Sequence, residues 1–250
     1  MAAYQEHSHH DRPFLALLMR LAGIGGLATM SALIKLASES GVHLVEILFW
    51  RQMVTLPILL GWALWAGGLH KLATQRPKSH GVRAVYGIIG MILNFGAVVL
   101  LPLAEATTFS FTTPLFAVLL SIVFLKEKVG PWRWSAVAAG FLGIIIIAQP
   151  SGDHFPLYGA AVALGGAFMV ALISIQIRDL SRTDAPQVIV FYFALVSVVV
   201  LLGPMLWLHE ALTLHQWLLL LGVGLCGTFG QLGITAALRM GKVSSVIVMD

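Results

Sequence analysis

The sequence predicts an all-α, polytopic membrane protein, and three observations support this prediction. Of its 250 residues, 58% are hydrophobic and only 10% are charged, whereas about 25% are charged in an ordinary soluble domain. The mean hydropathy is +0.91, so the polar residues are too few to cover a single water-soluble core. The apolar residues also form continuous stretches of membrane-spanning length, with basic residues between them.

Eight stretches are long enough to cross the bilayer, because a spanning helix needs roughly 20 predominantly apolar residues. A ninth stretch begins near Val243 and stops at Asp250. Glycine and proline inside these stretches are compatible with membrane helices. The predicted spans are 14–37, 45–67, 81–101, 104–125, 132–149, 156–177, 186–208 and 216–238.

The basic residues predict how the chain is oriented. With the N-terminus in the cytoplasm, 13 of the 15 lysines and arginines lie in or next to cytoplasmic loops, and only Lys35 and Arg51 lie elsewhere. An excess of Lys and Arg in short cytoplasmic loops is the positive-inside rule. We therefore expect a multi-pass protein of the bacterial inner membrane, with the lipid bilayer as a partner. The pI near 9.5 then needs no nucleic-acid partner.

The sequence lacks the patterns of common catalytic and cofactor sites. Its single cysteine, Cys226, lies in an apolar stretch and excludes a disulfide framework or a cysteine-based zinc site. No HExxH, CxxC, P-loop or GxSxG pattern occurs. Gly222, Gly224 and Gly227 spell GxGxxG, but they interrupt an apolar stretch, which favours close helix packing over dinucleotide binding. We expect no cofactor, no bound metal and no enzymatic activity.

The two halves of the chain resemble each other. Residues 33–50 match 172–193 at an offset of about 142 residues, and 90–114 match 224–250 at an offset of about 134 to 137. The repeating unit holds five helices, and an odd number makes the second copy enter the membrane from the opposite face. We therefore predict inverted five-helix repeats. The predicted domains are a cytoplasmic tail (1–13), a first repeat (14–149, helices 1–5) and a second repeat (156–250, helices 6–9).

The segment 102–147 carries a family resemblance. It holds a small, hydroxylated helix with Pro114, an F-L-x-E turn at 124–127, and then a tryptophan and a glycine-bearing helix. The second half matches through 230–246. In these features the chain resembles EamA-type transporters of the drug/metabolite transporter superfamily.

That resemblance implies a ten-helix inner-membrane carrier with two inverted repeats around a central cavity. Some members of the superfamily take up riboflavin or S-adenosylmethionine, and others export amino acids. The first repeat continues for about 35 residues beyond Pro114, whereas the second ends at Asp250, one residue before the equivalent position. We therefore expect eight full transmembrane helices and the start of a ninth, in a fragment or in the product of a shortened gene.

Three ionisable residues are candidates for substrate binding, because a charge costs at least about 2.5–3.5 kcal/mol at the bilayer centre. Arg51 lies about 12 Å along helix 2 from His43, which suits an anion partner or a conformational latch. A structural ion pair with Glu46 or Glu39 explains it equally well. Lys35 either binds substrate or bends its ammonium group towards the headgroups. Glu46 either couples protons or belongs to a hydrated rim.

Polar side chains on other helices extend the candidate site. Asn94 in helix 3 and Gln231 in helix 8 occupy matching parts of the two repeats. Each can orient a polar metabolite or join neighbouring helices by a hydrogen bond. Thr108 and Thr112 form a polar stripe with Glu105 on helix 4. Threonine hydroxyls also bond their own backbone carbonyls, so the stripe alone proves little.

Three further residues are expected to shape the helices. Pro114 frees the carbonyl of Ser110, four residues earlier. That carbonyl either binds substrate or marks a packing kink. Gly224 and Gly227 are expected to let helix 8 approach its neighbours closely.

These features together predict a secondary transporter of a small-molecule metabolite that works by alternating access. Its cavity is expected between helices 1–4 and helices 6–9. The alternative is a membrane-embedded scaffold or enzyme subunit without transport activity. An enzyme should show acids or histidines clustered at one membrane face, and a scaffold does not need two inverted repeats. For the oligomeric state, the sequence is compatible with a homodimer as well as with a monomer.

Overall fold

The computed structural model describes residues 13–125, 130–148, 157–209 and 211–240. Over these ranges the chain is helical and contains no strand. Three predicted features lie wholly or partly outside these ranges: residues 1–12 of the predicted tail, the start of the predicted ninth helix at Val243, and part of the 124–127 turn. The α-helices are α1 (Pro13–Glu39), α2 (Leu44–Trp65), α3 (Pro77–Leu100), α4 (Leu103–Ser110), α5 (Thr113–Leu125), α6 (Pro131–Ala148), α7 (Leu157–Leu180), α8 (Pro186–Leu208) and α9 (Leu214–Met240), with a short 3-10 helix at Leu69–Leu72.

Among the described residues, seven segments have the length and apolar composition to cross a membrane. The predicted span at 132–149 corresponds to α6, whose apolar stretch Trp134–Ile146 is shorter than the others. The all-helical, multi-pass membrane architecture predicted from composition is confirmed. The seven segments are Leu21–Glu39, Leu44–Trp65, Pro77–Leu100, Leu103–Leu120, Leu157–Leu180, Pro186–Leu208 and Leu214–Ala237.

Large apolar side chains cover the outside of the bundle. Leu64, Val199 and Leu206 are exposed near the ends or along the faces of α2 and α8, and Trp65 and Trp207 are almost fully exposed at their C-terminal ends. In water such a surface would be unfavourable, but lipid chains solvate it well. Tryptophan at the ends of spanning helices is typical of the membrane–water interface.

The predicted helix at 104–125 is wrong in one respect, because it is interrupted. α4 ends at Ser110 and α5 begins at Thr113. Pro114 has no N–H, and its ring would clash with the Ser110 carbonyl inside a continuous helix. Pro114 instead occupies the first turn of α5, where a missing N–H costs little. The Thr112 hydroxyl donates to the Phe109 carbonyl at 2.6 Å across the break.

The most extensive helix contacts join a helix from the first half of the sequence to one from the second half. α1 packs most extensively against α9, and α3 against α7, while α2 lies against both α8 and α9. Glycines permit the closest approaches. A Cβ atom added at Gly26 would lie 3.2 Å from the Gly230 Cα atom, and one at Gly166 would lie 3.0 Å from the Asn94 Cα atom. Small residues at such crossings let membrane helices gain close van der Waals contact.

Candidate functional site

Arg51 lies at the centre of the bundle, where α1, α2, α3 and α9 meet. Its residue surface is only 3% exposed. Its Nε donates to the Met30 sulfur at 3.1 Å, its Nη1 to the Met91 sulfur at 3.1 Å, and its Nη2 to the Gln231 Oε1 at 3.3 Å. Its Cζ atom lies 5.7 Å from the centroid of the Phe95 ring. The structure therefore brings two sequence-predicted residues, Arg51 and Gln231, into contact although 180 positions separate them.

The charge of Arg51 has no acidic partner among the described residues. The two carboxylates considered from the sequence are engaged elsewhere, Glu46 with His209 and Glu39 with Lys35. Thioether sulfurs are weak acceptors, and an amide oxygen carries no net charge. Burying an uncompensated cation costs several kcal/mol. Arg51 is thus a buried positive charge held by weak, neutral partners.

Glycines on α9 provide the space for this arrangement. A Cβ atom at Gly227 would lie 2.8 Å from the Met30 sulfur and 2.9 Å from the Arg51 Nε, and one at Gly224 would lie 2.5 Å from the Val54 Cβ. All three distances are shorter than real Cβ atoms show. The absence of side chains at these two positions lets α9 lie close to α2 with the guanidinium group between them.

A second polar contact joins α2 and α9 one turn beyond Arg51. The Thr55 and Thr228 hydroxyl oxygens are 2.7 Å apart, and both residues are buried. The Thr228 hydroxyl also lies 2.7 Å from the Gly224 carbonyl. Neither threonine was predicted from the sequence as a site residue. Their signal was the position of Thr55 one helical turn after Arg51 and of Thr228 one turn after Gly224.

Glu46, near the start of α2, contacts His209, which follows the end of α8. Glu46 is buried, and its Oε1 is 2.7 Å from the His209 Nδ1. A cavity of about 390 Å³ lies at this end, lined by residues of the α1–α2 loop and of the α8–α9 loop, including both members of the pair. Glu46 precedes Arg51 by five residues, or about 7.5 Å along α2. The pairing of Glu46 with His209 was not predicted from the sequence.

The remaining predicted residues make local contacts. Lys35 Nζ donates to the carbonyls of Val99 and Leu101 at 3.2 and 3.0 Å, so it caps the C-terminus of α3, where a cation is favourable. The Thr108 hydroxyl donates to the Ala104 carbonyl at 2.9 Å. Thr112 likewise bonds the backbone, as described above. Asn94 lies on α3 at its crossing with α7, and the structure does not bring it to Arg51.

A cluster of buried ionisable residues that was not predicted from the sequence lies where α3 begins. Arg83, expected next to a solvated loop, is 2% exposed, and its Cζ atom lies 4.5 Å from the centroid of the Phe193 ring. His80 is also buried, with its Nε2 3.7 Å from the Asp184 Oδ2. The correction has a simple cause: α3 begins at Pro77 rather than at 81, so His80 and Arg83 share one face of its first two turns. Their i, i+3 spacing was the available signal.

Fold and site together define the class of protein: a multi-pass membrane protein with buried polar and charged groups where its helices cross. The family model described as "EamA-like transporter family" matches residues 14–149 and 157–250. The chain therefore belongs to this family, and the resemblance stated from the sequence is confirmed.

Individual relatives agree with the family assignment. The chain is 30% identical over 240 residues to a riboflavin transporter of Vibrio cholerae, covering 94% of this chain and 79% of the relative. It is 32% identical over 224 residues to the pseudopaline exporter CntI of Pseudomonas aeruginosa, covering 88% and 77%. A solved structure described only as "Crystal structure of protein" has a TM-score of 0.67 at 20% identity, covering 93% of this chain and 83% of that one, and shares the fold. The chain is a small-metabolite transporter and not an enzyme.

Proposed function

We propose that this transporter is a secondary carrier for a small metabolite with an anionic group, and that Arg51 recognises that group. The observation behind the proposal is the burial of Arg51 against two thioethers and one amide, with no described carboxylate beside it. A carboxylate or phosphate can replace these weak partners with short, bidentate, charge-assisted bonds. Binding energy is then available because the free protein leaves the buried charge uncompensated.

Gln231 is proposed to orient the same ligand. Its amide oxygen accepts from the Arg51 Nη2, which leaves the amide NH₂ group as a donor for an anion bound to Arg51. Glu46 is proposed to act at the mouth of the pathway with His209, since both line the 390 Å³ cavity. Asn94 remains a proposed ligand contact on α3. Lys35, Thr108 and Thr112 are proposed only as supporting residues, because their polar atoms bond the backbone.

We propose two inverted five-helix repeats, with alternating access produced by their relative motion. Exchanging the halves converts the α1–α9 contact into α7–α3, and these are the two most extensive helix contacts. Individual contacts follow the same exchange. A Cβ atom at Gly227 would meet the Met30 side chain, and one at Gly90 would meet the Met169 side chain at 3.2 Å. The glycines are 137 positions apart and the methionines 139.

The proposed orientation places the N-terminus and residues 71–78 in the cytoplasm of a bacterial cell and the Glu46–His209 cavity on the periplasmic side. The charge asymmetry of the loops supports it. Cys226 is the only native cysteine, so a Cys226→Ala background allows single cysteines to be tested with a membrane-impermeant thiol reagent. Labelling of a cysteine at 71–78 from the periplasm would contradict this orientation.

Flux into proteoliposomes tests the proposed role of Arg51. Each member of a panel of carboxylates and phosphates would be paired with an analogue whose anionic group is neutralised, and riboflavin, which carries no anionic group, would serve as the uncharged comparison. We expect neutralising the ligand or introducing Arg51→Gln to reduce flux by about 100-fold, equivalent to about 2.7 kcal/mol. Combining both changes should cause little further loss, since each removes the same interaction.

The matched control is Arg76→Gln, since Arg76 forms an ion pair with Asp179 that is partly exposed. Its flux should equal that of the wild type. Size-exclusion profiles in detergent would establish that each variant is folded. Unchanged flux of every anionic compound in Arg51→Gln would overturn the proposed role of Arg51, while leaving the family assignment intact.

A further inference from the structure

Arg83 is a second buried arginine with donors that are not used. Its Nε and Nη1 atoms are buried without a hydrogen-bond partner. Its guanidinium group lies over the Phe193 ring of α8, with 4.5 Å between the Cζ atom and the ring centroid. The face of an aromatic ring attracts a cation, but it supplies no lone pair for these two N–H groups. Arg83 therefore presents an available charge and available donors deep in the protein.

The acidic residues at this end of α3 are engaged by other partners. Asp184 lies 3.7 Å from His80 and accepts the Thr183 hydroxyl at 2.7 Å. Asp179 forms its ion pair with Arg76. Within the described parts of the chain, no carboxylate lies within ion-pair distance of Arg83. Like Arg51, it is a buried cation without a counter-charge from the described residues.

Arg83 and Arg51 approach each other along α3. Arg51 bonds the Met91 sulfur, while the Arg83 Nη1 lies against Gly87, one turn earlier on the same helix. Four residues separate Gly87 and Met91, which is about 6 Å along the helix axis. Like charges at this spacing in the protein interior repel each other. A ligand that brings two negative charges would relieve this repulsion and pair both arginines.

Resting on the proposed function, we infer that Arg51 and Arg83 together select a metabolite that carries two anionic groups. Arg51 binds one group and Arg83 the other, with Phe193 holding the Arg83 guanidinium plane from one side. Gly87 is required because a Cβ atom there would lie 2.5 Å from the Phe193 ring and would also overlap the Arg83 Nη1. A monoanion satisfies Arg51 alone and leaves Arg83 unpaired, so the protein discriminates against it.

Dicarboxylates of increasing length, from malonate to adipate, test this inference against monocarboxylates of the same chain length. The measurements are thermal stabilisation of the full chain in detergent and counterflow in proteoliposomes. We expect at least one dicarboxylate to bind the wild type about tenfold or more tightly than its matched monocarboxylate. Arg83→Gln should abolish this preference, because it should weaken dicarboxylate binding more than monocarboxylate binding, while Arg83→Lys should retain part of the preference.

The Arg51 variant separates the two proposals. Arg51→Gln should lose binding of both ligand types, whereas Arg76→Gln should keep the wild-type preference. If binding depends on Arg51 but dicarboxylates bind no better than monocarboxylates, the two-anion inference is wrong and the proposed function stands. If no anion depends on Arg51, the proposed function itself fails. Should Arg83→Gln not fold, the wild-type preference and Arg83→Lys still decide the matter.

An anionic lipid headgroup presents the same chemistry to Arg83 as a soluble anion. Liposomes of phosphatidylcholine alone would therefore be compared with liposomes that also contain phosphatidylglycerol. A dicarboxylate preference of equal size in both supports the soluble ligand. A preference that appears only without phosphatidylglycerol would assign Arg83 to the lipid and overturn the inference.

Discussion

The α2–α9 crossing at Arg51 and the α3–α8 crossing at Arg83 have similar components but hold their arginines differently. Each arginine is buried beside a glycine, Gly227 for Arg51 and Gly87 for Arg83. In the two proposed repeats α2 corresponds to α8 and α9 to α3, so the two crossings are equivalent positions of the repeats. At Arg51, however, three side chains accept hydrogen bonds from the guanidinium group. At Arg83, the ring of Phe193 takes their place.

The difference separates two ways of keeping a cation inside a membrane protein. Hydrogen bonds to Met30, Met91 and Gln231 depend on direction, so they fix the plane of the Arg51 guanidinium group. A ring face attracts the cation with little directional demand and depends on packing at close range. Arg51 should therefore respond most to changes in its acceptors, and Arg83 to changes in the space around it.

The largest expected effect comes from removing the ring at Arg83. Phe193→Ala should lower the free energy of unfolding by about 3–5 kcal/mol, because it removes a buried aromatic side chain and leaves a cavity. Phe95→Ala should cost less, since its ring is 5.7 Å from Arg51 rather than 4.5 Å from Arg83. Unfolding in mixed detergent–SDS micelles measures both. If the difference persists equally in an Arg83→Met background, the ring does not act through the cation.

Filling the glycine positions should have the next largest effect. Gly87→Ala and Gly227→Ala should each cost about 1–3 kcal/mol of stability, because the added methyl group overlaps its neighbours. Gly87→Ala should be worse, since the Phe193 ring would lie 2.5 Å away. The control is Gly25→Ala, where a Cβ atom meets nothing within 4 Å. A loss of stability in the control equal to that in the two variants would contradict the packing argument.

A substitution at Gln231 should separate stability from transport. Gln231→Glu places a carboxylate on the Arg51 Nη2, so we expect higher stability, by about 1 kcal/mol, and at least tenfold weaker binding of an anionic substrate. Gln231→Leu removes the acceptor, so we expect a small loss of stability and a loss of anion binding smaller than that in Gln231→Glu. Thermal melting and flux would be measured on the same preparations. Tighter anion binding in Gln231→Glu would show that Arg51 is not the anion partner.

The smallest effect is expected at the ion pair near the start of α3. Arg76→Ala breaks the ion pair with Asp179, and the side chains of both partners are partly exposed. Pairs of this kind contribute at most about 1 kcal/mol. Melting temperature and flux should remain close to those of the wild type. A loss comparable to that of Arg83→Gln would mean that the charge cluster at this end acts as a unit.

Much of the fold could be read from the sequence because membrane helices obey simple constraints. Backbone groups must pair within the helix, and a helix must be long enough to cross the hydrocarbon layer. The observed helices α2 and α8 accordingly begin and end within two residues of the predicted spans. Pro114 carried the signal for the break between α4 and α5, but it was interpreted as a kink within one helix.

The candidate site was less predictable. Arg51 could be selected because a charge in an apolar helix is costly, and Gln231 because it matches Asn94 across the repeats. Their mutual hydrogen bond depends on how α2 meets α9, and no local pattern encodes that. Arg83 was overlooked because charge counting assigns a basic residue near a predicted loop to the solvent.

The sequence by itself determined which segments enter the membrane and which residues are unusual there, since both follow from transfer energies of single residues and helices. Only the tertiary structure decided which of those residues meet. Glu46 pairs with His209, and Arg51 contacts Gln231 rather than a carboxylate, because helix crossings set by glycines bring distant positions within a few ångströms. Contact between side chains is a property of the crossing, and the energy of each buried charge depends on it.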